Sequence, residues 1–235
     1  MNILITGASR GIGYELVIEL SKITSHRIIA VSRDNKRLLH LQEKCLALSG
    51  NDNVVIFPFD LSNFNALESE FLSELKKHIS SIDILINNAG QLVSKPFSSF
   101  KETDFDRCFD ANAKAPFFII KNCLSLFSSK AHIVNIGSMG GVQSSVKFSG
   151  LTAYSSSKGA LAILTECLAE EYKEKEWSFN CLALGAAQTE MLEEAFPGYK
   201  APMSANEMAL FIADFALNGN RYFNGKVLPV ALSTP

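Results

Sequence analysis

No two of the five cysteines (Cys45, Cys108, Cys123, Cys167 and Cys181) form a CxxC pair, and none has a histidine at metal-ligand spacing. Their odd number in a chain of 235 residues argues against a disulfide framework. Five free thiols in a reducing compartment, and no metal, are therefore expected. Long apolar runs are missing as well. No basic segment leads into a hydrophobic stretch with a small-residue cleavage site, and no run approaches the ~20 residues of a membrane helix. The expectation is a cytoplasmic protein with neither signal peptide nor span. A surplus of positive charge is also lacking: 22 Lys and Arg against 24 Asp and Glu leave a net charge of −2, with a pI of about 6.1. The basic residues are scattered, which excludes the clustered surface that nucleic acid requires. Lys173 to Glu176 alternates in sign and reads as a solvated helix end. His26, His40, His78 and His132 fall near element ends and read as surface residues. There is no internal repeat and no Pro/Ser-rich linker, so residues 1–235 are expected to form one domain.

What the sequence does have is a large core and a clear rhythm. Hydrophobic residues make up 47% and charged residues 20%, enough to cover a sheet on both faces. Short apolar runs at 3–5, 27–31, 54–58, 82–86, 132–136, 177–184 and 226–230 alternate with stretches of helical period, such as 12–23, 38–48, 67–79, 104–127 and 153–172. The strands show little polar alternation, as expected when both faces are buried. The pattern predicts an α/β, doubly wound Rossmann fold: a central parallel sheet of about seven strands with helices on both faces. Ligands of such sheets bind beyond the C-terminal strand ends, and the unusual residues of this chain lie there.

Thr6-Gly7-Ala8-Ser9-Arg10-Gly11-Ile12-Gly13 links the first strand to the first helix. Glycines at 7, 11 and 13 let the backbone turn tightly and approach a pyrophosphate, and the helix N-terminus offers free N–H groups and partial positive charge. A plain tight turn would use similar residues. Asn87-Asn88-Ala89-Gly90 follows the fourth strand, Ser138 the fifth, and Tyr154-Ser155-Ser156-Ser157-Lys158 opens a long helix. Tyr154 and Lys158 are four apart and share one helix face. A free tyrosine has a pKa near ~10, and lowering it by roughly three units requires about 4 kcal/mol of phenolate stabilisation. One ammonium at about 4 Å supplies a similar amount at an effective dielectric near 20, while burial works the other way.

The order and spacing of these four motifs resemble the short-chain dehydrogenase/reductase family, in its compact branch. The resemblance implies a nicotinamide cofactor bound by Gly7, Ser9, Arg10, Gly11, Ile12 and Gly13 of the loop, by Asn88, Ala89 and Gly90, and by Tyr154 and Lys158. It also implies a Tyr154 acid/base, a Ser138 that hydrogen-bonds the substrate oxygen, a Lys158 that holds the nicotinamide ribose, and an Asn112 that positions a water behind Lys158. Asn112 can equally bond the backbone at a helix kink. Asp60, with Leu61 beside it, would contact the adenine, or cap the helix beginning near Ser62. Ser32 stands where NAD-preferring relatives carry an acid, and Arg33 follows. With Arg10, these residues point to NADPH rather than NADH. The expected activity is hydride transfer between NADPH and a carbonyl or alcohol; the alternative is a non-catalytic NADP(H) sensor. A homodimer or homotetramer is expected from the family.

The chain departs from the family after the sixth strand. Leu184-Gly185-Ala186-Ala187-Gln188-Thr189 keeps Gly185 and Thr189 but has Leu184 in place of a proline, which frees the backbone there. Ala187 and Thr189 would still reach the nicotinamide amide and the pyrophosphate. The following segment, 190–204, is short. Its Met191, Leu192 and Phe196, with Val142 and Leu92, either line a substrate pocket or form a satellite core. The ending 224–235 resembles the sepiapterin-reductase-like branch.

Overall fold

In a computed structural model that describes residues 1–232, every apolar run becomes a strand. Ser233, Thr234 and Pro235, part of the distinctive ending, lie outside the described residues. In chain order the elements are β1 (Asn2–Thr6), α1 (Gly11–Ser21), β2 (Arg27–Ser32), α2 (Asn35–Ser49), β3 (Val54–Pro58), α3 (Phe64–Ser69), α4 (Phe71–Leu75) and β4 (Ile82–Asn87). They continue with α5 (Glu102–Phe109), α6 (Ala115–Cys123), β5 (Phe127–Ser138), α7 (Thr152–Glu171), β6 (Ser178–Leu184), β7 (Ala187–Gln188), α8 (Glu190–Ala195), β8 (Met203–Ser204), α9 (Ala205–Asn218) and β9 (Lys226–Val230).

Seven strands form one parallel sheet in the order β3-β2-β1-β4-β5-β6-β9. Strand alternation sends Ile3 and Ile5 into one core, with α1, α2 and α9, and Leu4 into the other, with α3, α4 and α6. The order reverses between β1 and β4, which opens a crevice at their C-terminal ends. Pro229 sits on the edge strand β9, where a missing N–H costs no ladder bond.

Two expected helices are divided. The 67–79 stretch breaks at Glu70 into α3 and α4, and the 104–127 stretch is split by a π-turn at Asp110–Lys114. The second helix also stops at Cys123, because Phe127 already pairs with Ile82 as the first residue of β5. Leu184 needs no proline to fix it. It is the last residue of β6, in register with Ser138 and Val230, and Gly185 N donates to Val230 O at 2.9 Å.

The surface reading fails for two histidines. His132 is 1% exposed on β5, and His26 is also buried. His132 Nδ1 donates to Ala216 O at 2.9 Å, while Asn180 Nδ2 donates to His132 Nε2 at 3.1 Å. Burial lowers the pKa of His132 to about 4, so it is neutral in the core. All five cysteines are free, and Cys167 alone is exposed. Among the described residues no helix is long and apolar enough to cross a membrane, and no cluster of His, Cys, Asp or Glu could hold a metal.

Candidate active site

The loop after β1 turns through left-handed backbone at Gly7 (φ +69°) and Gly11 (φ +57°). A Cβ at Gly7 would lie 2.7 Å from Ala89 Cα, and one at Gly13 would lie 2.3 Å from Gly7 O, so neither position admits a side chain. Thr6 locks this loop to the next motif: its Oγ1 accepts from Asn88 N (3.1 Å) and Ala89 N (3.0 Å). Asn88 Nδ2 donates back to Thr6 O and Gly7 O. α1 then starts at Gly11 with no side-chain cap. Its first N–H groups therefore remain available to an anion in front of the helix.

A cavity of about 820 Å³ extends from this helix start along the C-terminal strand ends. At one end are Gly11, Ser32, Arg33, Asp60 and Leu61, and at the other Ser138, Tyr154 and Lys158. Gly90, Gly185, Ala187 and Thr189 also line it. Its length, its glycine cradle and its uncapped helix start fit a dinucleotide. Of the catalytic and cofactor-binding residues singled out in the sequence, the structure places all but Gly13 and Asn112 on the wall. Gly13 instead allows α1 to pack on the loop.

Asn112 lies at 0% exposure in the π-turn behind the wall. Its Oδ1 accepts from Gln91 N and its Nδ2 donates to Gln91 O and Ser157 Oγ, each at 2.9 Å. The side chain thus spans the loop after β4 and the helix that carries Tyr154, which is the kink-bonding alternative. Asn87 and Asn135 also tie elements together, through Asn87 Nδ2 to Asn135 Oδ1 and Asn135 Nδ2 to Thr165 Oγ1, both 2.8 Å.

Tyr154 and Lys158 stand one turn apart on α7. Lys158 is 4% exposed, and its Nζ donates to Ile136 O at 2.7 Å. Burial lowers its pKa to about 8, partly offset by the nearby Cys181 sulfur. The half-buried Tyr154 is shifted above its ordinary pKa: burial pushes it up and the neighbouring Ser138 hydroxyl pulls it down. Burial thus outweighs the pull of the Ser138 hydroxyl, and the expected depression is not seen. Ser138 Oγ accepts from Gly140 N, which orients it at the mouth of β5.

At the other end, Ser32 Oγ donates to Ser9 Oγ at 2.8 Å. Asp34 turns away to cap α2, accepting from Arg37 N, so it does not oppose Arg33. Arg10 differs from expectation. Two carboxylates face it: Glu194 at 2.8 Å and Glu190 at 3.2 Å, both on α8, and Glu190 also pairs with Arg37 at 3.1 Å. Asp60 folds into a local turn, its Oδ1 accepting from Ser62 N and Ser62 Oγ; the helix cap is Asn63.

Met191, Leu192, Phe196 and Leu92 do line the cavity, whereas Val142 lies off its wall and offers its carbonyl to Lys147 Nζ. Thr6, Gln91, Arg107, Ile136, Glu190 and Tyr199 are site residues that the sequence reading did not single out. A Thr directly before the glycine loop was a visible signal; the others depend on contacts between distant segments.

Residues 1–200 match the profile of the short chain dehydrogenase family. The chain belongs to that family of oxidoreductases. It is 33% identical over 171 residues to carbonyl reductase (NADPH) 2 of Sus scrofa, covering 72% of this chain and 64% of that protein. It is 29% identical over 239 residues to a 3-oxoacyl-(acyl-carrier-protein) reductase of Rickettsia bellii, covering 97% and 93%. The structure resembles a Pseudomonas aeruginosa RhlG/NADP active-site complex with a TM-score of 0.86 and 25% identity, covering 98% of this chain and 94% of that one.

Proposed function

We propose that this short chain dehydrogenase is an NADPH-dependent oxidoreductase that reduces a carbonyl group or oxidises the matching alcohol. One observation carries the reading: a single cavity joins an uncapped helix start and Arg33 at one end to Ser138, Tyr154 and Lys158 at the other. The name of the porcine relative and the NADP in the Pseudomonas complex support it.

The glycine loop and the α1 N-terminus would hold the pyrophosphate, Arg33 and Arg10 a 2′-phosphate, and Gly90, Lys158 and Thr189 the nicotinamide half. The bound cofactor supplies the hydride. Ser138 donates a hydrogen bond to the substrate oxygen and stabilises charge that develops there. Tyr154 Oη gives that oxygen its proton in reduction and takes it back in oxidation. Lys158, held on Ile136 O, keeps a positive charge one turn behind the phenol, and Asn112 fixes α7 against the loop after β4. The same reading treats the chain as one domain that assembles into homo-oligomers, for which the exposed Phe105, Phe117 and Ile163 on α5, α6 and α7 are suitable contacts.

The test is NADPH oxidation over a panel of ketones, aldehydes, quinones and pterins. Wild type should turn over at least one, and Tyr154→Phe should lose at least a hundredfold in kcat while still binding NADPH, in keeping with the ~10²–10⁴ contribution of a general acid. Full activity in Tyr154→Phe refutes the assignment. NADPH binding without turnover of any compound favours the sensor.

A further inference from the structure

The cavity adjoins a second cavity of about 350 Å³, and the two share Arg10, Gln91, Leu92, Arg107 and Met191 in their walls. The charged groups around this junction are paired, with one exception. Arg10 is held by Glu190 and Glu194, Lys95 by Asp104, and Asp110 by Lys114 at 3.5 Å. Asp104 Oδ2 also accepts from Lys101 N. Lys158 is buried on Ile136 O. Arg107, exposed on the last turn of α5, lines both cavities and has no carboxylate within 4.0 Å among the described residues. The wall of the larger cavity also carries apolar and aromatic side chains: Leu92, Phe148, Leu151, Met191, Phe196 and Tyr199.

The geometry points to Arg107 as the residue that selects a carboxylate-bearing carbonyl substrate, whose apolar body lies under α8 and whose acid group enters the side cavity. This rests on the oxidoreductase reading of the same site. The guanidinium fork matches a carboxylate in bidentate fashion. Glu190, Glu194 and Asp104 each pair with another cation, so Arg107 is the exposed cation of the junction that makes no salt bridge, with Asp104 acting on it only at longer range. A neutral ketone of the same skeleton gains only the apolar contacts.

The experiment compares an aryl ketone bearing a ring carboxylate with its methyl ester, using NADPH and wild type, Arg107→Gln and Arg107→Lys. Wild type should favour the acid by about tenfold in kcat/KM, a ratio worth roughly 1.4 kcal/mol, and the preference should reside in KM. Arg107→Gln should bring the acid-to-ester ratio of kcat/KM close to one while keeping its melting temperature, and Arg107→Lys should retain part of the preference. Calorimetric titration of the acid into the NADP⁺-loaded protein should show the same loss of about tenfold in Arg107→Gln, consistent with one charged hydrogen-bond pair. Equal rates on acid and ester in wild type, or a preference that survives Arg107→Gln, overturn the inference and leave the oxidoreductase reading intact. Acid binding that depends on Arg107 without turnover of any ketone does the reverse.

Discussion

Replacing Lys158 with methionine should abolish turnover and make the folded protein more stable. At 4% exposure, the ammonium has its pKa lowered by burial from 10.5 to about 8. A unit of pKa is worth about 1.4 kcal/mol, so holding the charged lysine in place at pH 7 costs the fold about 3 kcal/mol. Methionine leaves the buried Ile136 O without its donor, a loss of about 1–3 kcal/mol. The net gain is up to about 2 kcal/mol, or up to roughly 4–8 °C in melting temperature for a chain of this size. Urea and thermal unfolding of cofactor-free wild type and Lys158→Met at pH 7 measure it. The pH dependence identifies the cause. The folded pKa lies below the unfolded one, so the unfolded state binds more protons between pH 8 and 10.5, and the penalty is relieved as pH rises through that window. The stability gap between variant and wild type should therefore close from pH 8 upward. A variant less stable than wild type at pH 7, or a gap that ignores pH, refutes the account.

His132 gives a dependence of the same sign at acid pH. Its folded pKa of about 4 lies below the unfolded 6.5, so the stability present above pH 6.5 drains away as pH falls toward 4, by about 2 kcal/mol at pH 5. His132→Gln should flatten this part of the urea-midpoint profile, and an unchanged profile would assign the acid sensitivity elsewhere. The Glu190→Gln, Glu194→Gln double variant should bind NADPH about two- to fivefold more tightly at low salt, because Arg10 no longer has carboxylate partners. Exposed pairs of this kind are worth about 0.2–1 kcal/mol, and the gain should fade at high salt. Equal affinities at low salt would show that Arg10 does not take part in cofactor binding.

The sheet was legible because its strands are apolar on both faces, and the site because its residues sit next to strand ends. Four ordered motifs placed Tyr154, Ser138 and the glycine loop on one cavity. Failures occurred where distant residues decide local structure. The π-turn at Asp110–Lys114 carries the bonds of Asn112 to Gln91 and Ser157, 21 and 45 residues away. His132 falls near an element end and so reads as a surface residue, but Asn180 and Ala216 satisfy both its nitrogens in the core. The partners of Arg10 lie 180 and 184 residues along the chain. α9 went unnamed although its signal is local: Ser204 and Glu207 form a capping box ahead of Met208, Ala209, Ile212 and Ala213.

The glycines beneath the site bear on how this protein could be given new specificity. An added Cβ would lie 2.6 Å from Cys181 Sγ at Gly137, 2.8 Å from Ser155 Oγ at Gly140, and 2.7 Å from the Lys158 backbone at Gly141. At these three positions even the smallest enlargement pushes on the residues around the reaction centre, so the floor offers few single-step routes to altered chemistry. The roof is different. The six-residue α8 carries Met191 and Leu192 and is tethered by surface ion pairs. A library confined to 191–199 and Arg107 would explore substrate range while leaving the floor untouched, and that is where redesign should begin.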